Sequence, residues 1–154
     1  MTGAVHLDGI DRARADRSAQ LLGALAAASE QGPLEIAEAY NEARSRLTLT
    51  VAGSLPGVLR LLNSKTQGGE RLIDERAGTS LVVDVDNVGS EKAVAINDHL
   101  LNAAKNHPPG DPPLEVRTEH DARHARLRVR VDGSLFATSY LLFLVNLHLT
   151  QSRT

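Results

Sequence analysis

A nine-residue segment occurs twice in the chain, and this repeat limits the available folds more than any other feature of the sequence. Residues 47–55 and 127–135 are identical at five of nine positions. In each copy apolar and polar residues alternate, which is typical of a strand with one buried face. Each copy then reaches Gly-Ser, where glycine permits a sharp turn and serine can cap a helix. The repeat therefore predicts a strand–helix unit that the chain uses twice.

The rest of the pattern predicts an α/β fold, with α+β as the alternative. Residues 11–31 and 34–46 are predicted to form an N-terminal helical hairpin, the second helix because Ile36 and Tyr40 begin an apolar stripe at helical spacing. Residues 1–10 are predicted to be a loose tail or a short edge segment. A four-stranded sheet of mixed strand direction with packed helices follows, so that the element order is α-α-β-α-β-α-β-β-α.

The later elements are predicted from the same periodicities. The strands are expected at 47–52, 80–86, 114–119 and 125–131, and the helices at 55–62, 91–105 and 135–149. Residues 107–113 contain four prolines, which restrict the backbone and predict a stiff surface connector. Each side of this connector is too small for a good core by itself, so residues 1–154 are predicted to form a single domain.

Composition excludes several classes of function. The chain contains no cysteine, which excludes disulfides, thiol catalysis and cysteine-ligated metal centres. A net charge of −2 and an aromatic content of 3% argue against nucleic-acid binding. No convincing secretory signal or membrane span is found, so we expect a cytoplasmic protein. The excess of arginine over lysine and the abundance of alanine suggest a GC-rich bacterial source.

Two carboxylates follow an apolar strand. Asp84 and Asp86 could supply the oxygen ligands that Mg²⁺ prefers. The stretch 81–88, Leu-Val-Val-Asp-Val-Asp-Asn-Val, resembles the first motif of the haloacid-dehalogenase-like phosphotransferases, a strand followed by Asp-x-Asp. It also resembles the PIN-like nucleases, some of which have a strand followed by Asp-x-Asp-Asn-Val. Either resemblance implies a metal-dependent enzyme, whereas the alternative is that the two carboxylates share one strand face or cap the next helix.

The two Gly-Ser pairs are candidate anion sites. Gly53 and Ser54, like Gly133 and Ser134, place backbone N–H groups at the start of a predicted helix. Such a helix start favours negative charge and suits a phosphate group. A nucleotide or anion sensor would need both starts to converge on one pocket. The alternative is that each serine only caps its own helix.

The C-terminal segment is a candidate interface because it is long and almost wholly apolar. A helix that is apolar on all sides is buried, or it is partly covered by another chain. Residues 143–150 also alternate like a strand, but the repeat favours a helix. The predicted interface residues are Tyr140, Leu141, Phe143, Leu144 and Leu147.

Three functional hypotheses follow from these features. The first is a non-catalytic interaction or regulatory module that associates with itself or with another protein through the apolar C-terminal segment. The second is a small Mg²⁺-dependent phosphoryl-transfer enzyme or nuclease that uses Asp84 and Asp86. The third is an anion or nucleotide sensor at the Gly-Ser pairs. The first is favoured because the sequence contains no complete catalytic set, and no cofactor is predicted.

Overall fold

The computed structural model describes residues 1–30, 32–65, 68–108 and 113–151. Within these residues the chain forms six strands and four helices in the order β-α-β-β-α-β-α-β-β-α. The strands are β1 (Thr2–Asp8), β2 (Glu35–Asn41), β3 (Arg46–Ala52), β4 (Gly78–Val85), β5 (Glu115–Asp121) and β6 (Arg126–Ser134). The helices are α1 (Arg12–Ala27), α2 (Leu55–Leu62), α3 (Ser90–Asn106) and α4 (Leu135–Gln151). The predicted helical hairpin followed by a four-stranded sheet is therefore wrong, and the fold is α+β.

The six strands form one sheet in the order β2-β3-β1-β4-β6-β5. Every neighbouring pair is antiparallel, which also corrects the predicted mixed sheet. The helices lie side by side in the order α1-α2-α4-α3. The buried residues of the strands and helices form one continuous core. Alternate strand residues such as Thr50 and Arg128 are exposed on the other face of the sheet.

The first residues form a central strand and not the predicted tail. Strand β1 pairs with β3 on one side and with β4 on the other. Val5 and Leu7 are buried in the core. Gly3 permits a close approach of the chains, because a Cβ at this position would lie 2.9 Å from the Ser80 carbonyl oxygen. The sequence conceals this strand because it has only two large apolar side chains, and its other positions are small or polar.

Residues 34–46 contain a strand and a turn in place of the predicted second helix. Strand β2 pairs along its whole length with β3. Ile36 and Tyr40 are half-buried on the side that packs against the core. A spacing of four residues places two side chains on one face of a helix and also on one face of a strand. This spacing therefore could not distinguish a helix from a strand. The turn that follows contains Ser45 at a φ of 48°, which is incompatible with a continuous helix.

The strand–helix repeat is confirmed, since β3 leads into α2 and β6 leads into α4. The predicted helix α1, strand β4, helix α3 and the β5–β6 hairpin are also confirmed. The last segment is helical from Leu135 to Gln151, so a strand at 143–150 is excluded. Residues 109–112 of the predicted connector lie outside the described residues.

The repeat extends to two larger units, β1-α1-β2-β3-α2 and β4-α3-β5-β6-α4. In the first unit the Tyr40 hydroxyl donates a hydrogen bond to the Ile10 carbonyl oxygen at 2.7 Å. At the matching place in the second unit, Nε2 of His120 donates to the Val88 carbonyl oxygen, also at 2.7 Å. Because β1 and β4 pair antiparallel at the centre of the sheet, an approximate two-fold axis relates the units. Helix α2 therefore corresponds to α4, and α1 corresponds to α3.

Candidate interaction surface

Helix α4 lies in the middle of the helical layer, between α2 and α3. It has no Asp, Glu, Lys or Arg over its full length from Leu135 to Gln151. Within the described part of the chain, neither this helix nor any other is long and apolar enough to cross a membrane.

One side of α4 belongs to the core. Leu141 is 0% exposed and Leu144 is 9% exposed, and both pack against the buried residues of the sheet and the other helices. Their substitution would disturb the fold. The structure thus places these two predicted interface residues inside the protein.

The opposite side of α4 is an exposed apolar stripe. Phe136, Tyr140, Phe143 and Leu147 follow one another at intervals of four, three and four residues, which places them on one helical face. Their exposed fractions are 54%, 46%, 53% and 38%. We call these four residues the α4 stripe. It includes three of the predicted interface residues and adds Phe136, which helical spacing from Tyr140 could have identified in the sequence.

The described part of helix α2, the equivalent of α4, does not repeat the aromatic start of the stripe. In α2, Pro56 and Arg60 occupy the positions of Phe136 and Tyr140, and both are exposed. The fold therefore tolerates a polar, charged side chain at the place where α4 presents an aromatic ring. The apolar character of the stripe is a property of the second half of the chain and is not required by the packing.

A groove lies beside the stripe, between α3 and α4. Its volume is about 480 Å³. Phe136 and Tyr140 of α4 border the groove, and His107, which also lines it, lies close to both of their rings. The ring centroid of His107 is 6.0 Å from that of Phe136 and 6.3 Å from that of Tyr140. The groove is therefore continuous with the α4 stripe.

A histidine pair joins the two helices farther along. Nδ1 of His99 and Nε2 of His148 are 2.8 Å apart, so the N–H group of one ring donates a hydrogen bond to the ring nitrogen of the other. Burial lowers the pKa of His148 below its usual 6.5, and the neighbouring His99 and Lys92 lower it further. The lowered pKa favours the neutral form of His148 in this hydrogen bond between α3 and α4.

Asp84 and Asp86, the candidate metal ligands, are both engaged by arginines. Arg128 donates to Asp84 from Nε at 2.8 Å and from Nη2 at 3.3 Å, and Arg126 donates to Asp86 at 3.0 Å. The hydrogen bond from Arg128 holds the pKa of Asp84 below its usual value. Among the described residues, no cluster of three or more His, Cys, Asp or Glu is suited to a metal ion. A cation would have to displace both arginines, so the geometry gives the predicted metal site no support.

The Gly-Ser pairs act as helix caps. Ser54 Oγ accepts a hydrogen bond from the Gly57 backbone N–H at 3.2 Å. Ser134 Oγ accepts one from the Ala137 backbone N–H at 3.1 Å. In this way each serine satisfies a backbone donor that the first turn of its helix leaves without a partner.

The glycines of these pairs allow another segment of the chain to pass close to the backbone. A Cβ on Gly53 would lie 3.1 Å from the Pro33 carbonyl oxygen, and one on Gly133 would lie 3.3 Å from Cα of Leu114. Strands β3 and β6 are separated by β1 and β4, so the two helix starts are roughly 14 Å apart across the sheet and are also offset along the strands. They also leave antiparallel strands in opposite directions. The two starts therefore do not meet in one pocket, as a shared anion site would require.

The chain matches no protein-family model, and it matches no curated protein of known function. Its class is therefore defined by the structure alone. It is an α+β protein in which one layer of helices covers a six-stranded antiparallel sheet, with an apolar stripe on the second of the two central helices.

Proposed function

We propose that this protein is a non-catalytic interaction module that associates with itself through the α4 stripe. The observation that supports the proposal is the row of exposed apolar side chains formed by Phe136, Tyr140, Phe143 and Leu147. Contiguous exposed apolar surface on a protein marks an interaction site, because its contact with water is unfavourable. We place this association in the cytoplasm on the basis of the composition.

The area of the stripe fits a second copy as its occupant. Aromatic side chains present roughly 150–250 Å² each, so three rings that are about half exposed leave roughly 300 Å² uncovered. Leu147 raises this area to roughly 350 Å² for each copy. Two copies would then bury about 700 Å² of apolar surface, or about 1,100 Å² in total at the apolar fraction usual for homodimers. This total is near the lower limit for a specific interface, which predicts a weak, reversible dimer.

The stripe is suited to a two-fold symmetric contact. Two α4 helices that cross in antiparallel directions would place Tyr140 of one copy beside Phe143 of the other, near the middle of the interface. Phe136 would then lie toward Leu147 of the second copy. Since α4 has no Asp, Glu, Lys or Arg, the contact between the two α4 helices brings no such charge of α4 itself into the interface.

Sedimentation equilibrium of the full chain tests the proposal. We expect the average mass of the wild-type protein to rise with concentration, and Phe143→Ser to weaken this association at least about ten-fold, because each dimer would lose two central aromatic contacts. Val94→Ser is the matched control, since Val94 is 59% exposed but lies on the side of α3 away from α4. A wild-type mass that stays monomeric at every concentration, or equal effects of both substitutions, would contradict self-association through the stripe.

A further inference from the structure

The groove between α3 and α4 is lined without charge. Its lining within the described residues consists of His99, Asn102, Ala103, Asn106, His107, Pro108, Phe136 and Tyr140. None of these side chains is an acid, a lysine or an arginine. A charged ligand would therefore lose its hydration in the groove without gaining an opposite charge, which is unfavourable. An uncharged ligand with hydrogen-bonding groups is the better fit.

Two carboxamides on α3 present both a donor and an acceptor to this groove. Nδ2 of Asn106 donates to Oδ1 of Asn102 at 3.3 Å. Within the described part of the chain, neither amide has any other partner. This leaves the Asn102 amide protons and the Asn106 carbonyl oxygen available. A peptide backbone offers the complementary pair, a C=O group and an N–H group.

The spacing of these amides matches an extended chain. Asn102 and Asn106 are one helical turn apart, about 6 Å along the axis. Alternate residues of an extended peptide are about 6.6 Å apart and direct their backbone groups to the same side. Phe136 and Tyr140 on the facing helix repeat at the same interval, so each ring can contact one of two alternate side chains.

The equivalent groove in the first half lacks these features. It lies between α1 and α2, has a volume of about 280 Å³, and includes Arg60 in its lining. Ala24 and Ala28 occupy the positions that correspond to Asn102 and Asn106. The fold thus forms a groove in both halves, but among the described lining residues carboxamides and aromatic rings occur together in the second groove and not in the first.

We propose that the groove between α3 and α4 binds an extended, uncharged peptide segment of another protein, with apolar side chains at alternate positions. The two asparagines pair with the peptide backbone, and the two rings contact its side chains. This binding goes beyond self-association, because Asn102 and Asn106 lie on α3, outside the α4 stripe. The peptide shares Phe136 and Tyr140 with the proposed dimer contact, so the peptide and a second copy compete for these two rings.

Selection from a phage-displayed library of random peptides on the immobilised full chain tests this proposal. We expect uncharged sequences with apolar residues at every second position to be enriched. Isothermal titration of an enriched synthetic peptide should show a loss of affinity of about ten-fold or more in the double variant Asn102→Ala, Asn106→Ala. Asp98→Ala, also exposed on α3, is the matched control and should bind as the wild type does.

The outcomes separate this proposal from self-association. The Phe143→Ser protein should still bind the peptide, because Phe143 does not line the groove. The absence of any enriched sequence, or binding that the double asparagine variant leaves unchanged, would overturn the proposal. Weaker self-association of the asparagine variant without any peptide binding would instead assign the groove to the second copy and would also overturn it.

Discussion

Arg60 and Tyr140 occupy equivalent positions in the two halves of the chain. Each is the sixth residue of the helix that follows a Gly-Ser pair, and each side chain is exposed on the outer surface of the helical layer. The fold thus accommodates a guanidinium at one of these positions and an aromatic ring at the other. This difference is the strongest internal evidence that the α4 stripe serves an interaction and not the packing of the chain.

Substitutions on the two sides of α4 should have separable effects. We expect Leu141→Ala to lower the free energy of unfolding by about 2–5 kcal/mol, because it creates a cavity in the core. Leu147→Ala, on the exposed side, should change this free energy by less than about 1 kcal/mol in the monomer. Urea unfolding followed by circular dichroism at low protein concentration measures both values. Equal losses would show that the two sides of the helix are not distinct.

A side chain at Gly3 should destabilise the sheet. The added Cβ of Gly3→Ala would contact the Leu81 side chain and approach the Ser80 carbonyl oxygen to 2.9 Å, so the strands β1 and β4 must separate locally. We expect a loss of about 1–3 kcal/mol in the free energy of unfolding. Gly23→Ala provides the control, since a Cβ there meets no atom within 4 Å. An unchanged stability of Gly3→Ala would contradict the central position of β1.

The histidine pair should make stability depend on pH. Because burial lowers the pKa of His148 in the folded protein, the unfolded chain binds the proton more readily. Its contribution to stability is therefore present above the unfolded pKa of about 6.5 and is lost as the pH falls from there toward the lower folded pKa. His148→Gln should remove this part of the pH dependence. The melting temperatures of both proteins, measured between neutral pH and about pH 5, give the difference in pH dependence. An equal change of melting temperature with pH in the two proteins would contradict the prediction.

The sequence predicted the second half of the fold better than the first. The period-two alternation before Gly133 has three large apolar residues on one face, which identified β6, whereas β1 has only Val5 and Leu7. For β2, the four-residue interval between Ile36 and Tyr40 fitted a helix as well as a strand. Alignment of the repeat over a longer stretch would have resolved this ambiguity, since Leu-Glu-Ile at 34–36 matches Leu-Glu-Val at 114–116.

The candidate surface was only partly predictable. The apolar run identified Tyr140, Phe143 and Leu147, but Leu141 and Leu144 in the same run are buried. Sequence alone does not show which side of an apolar helix the core covers, because that depends on the neighbouring elements. The groove could not be predicted either, since it requires α3 and α4 to lie side by side.

Sedimentation equilibrium of Tyr140→Arg beside the wild type tests the central claim most directly. This substitution gives α4 the residue that α2 already has at the equivalent exposed position, so the monomer should fold with unchanged stability. The account predicts a wild-type mass that rises with concentration and a variant that stays monomeric, because two guanidinium groups would face apolar surface at the interface. Identical self-association of the two proteins would contradict the account and would place the interface elsewhere.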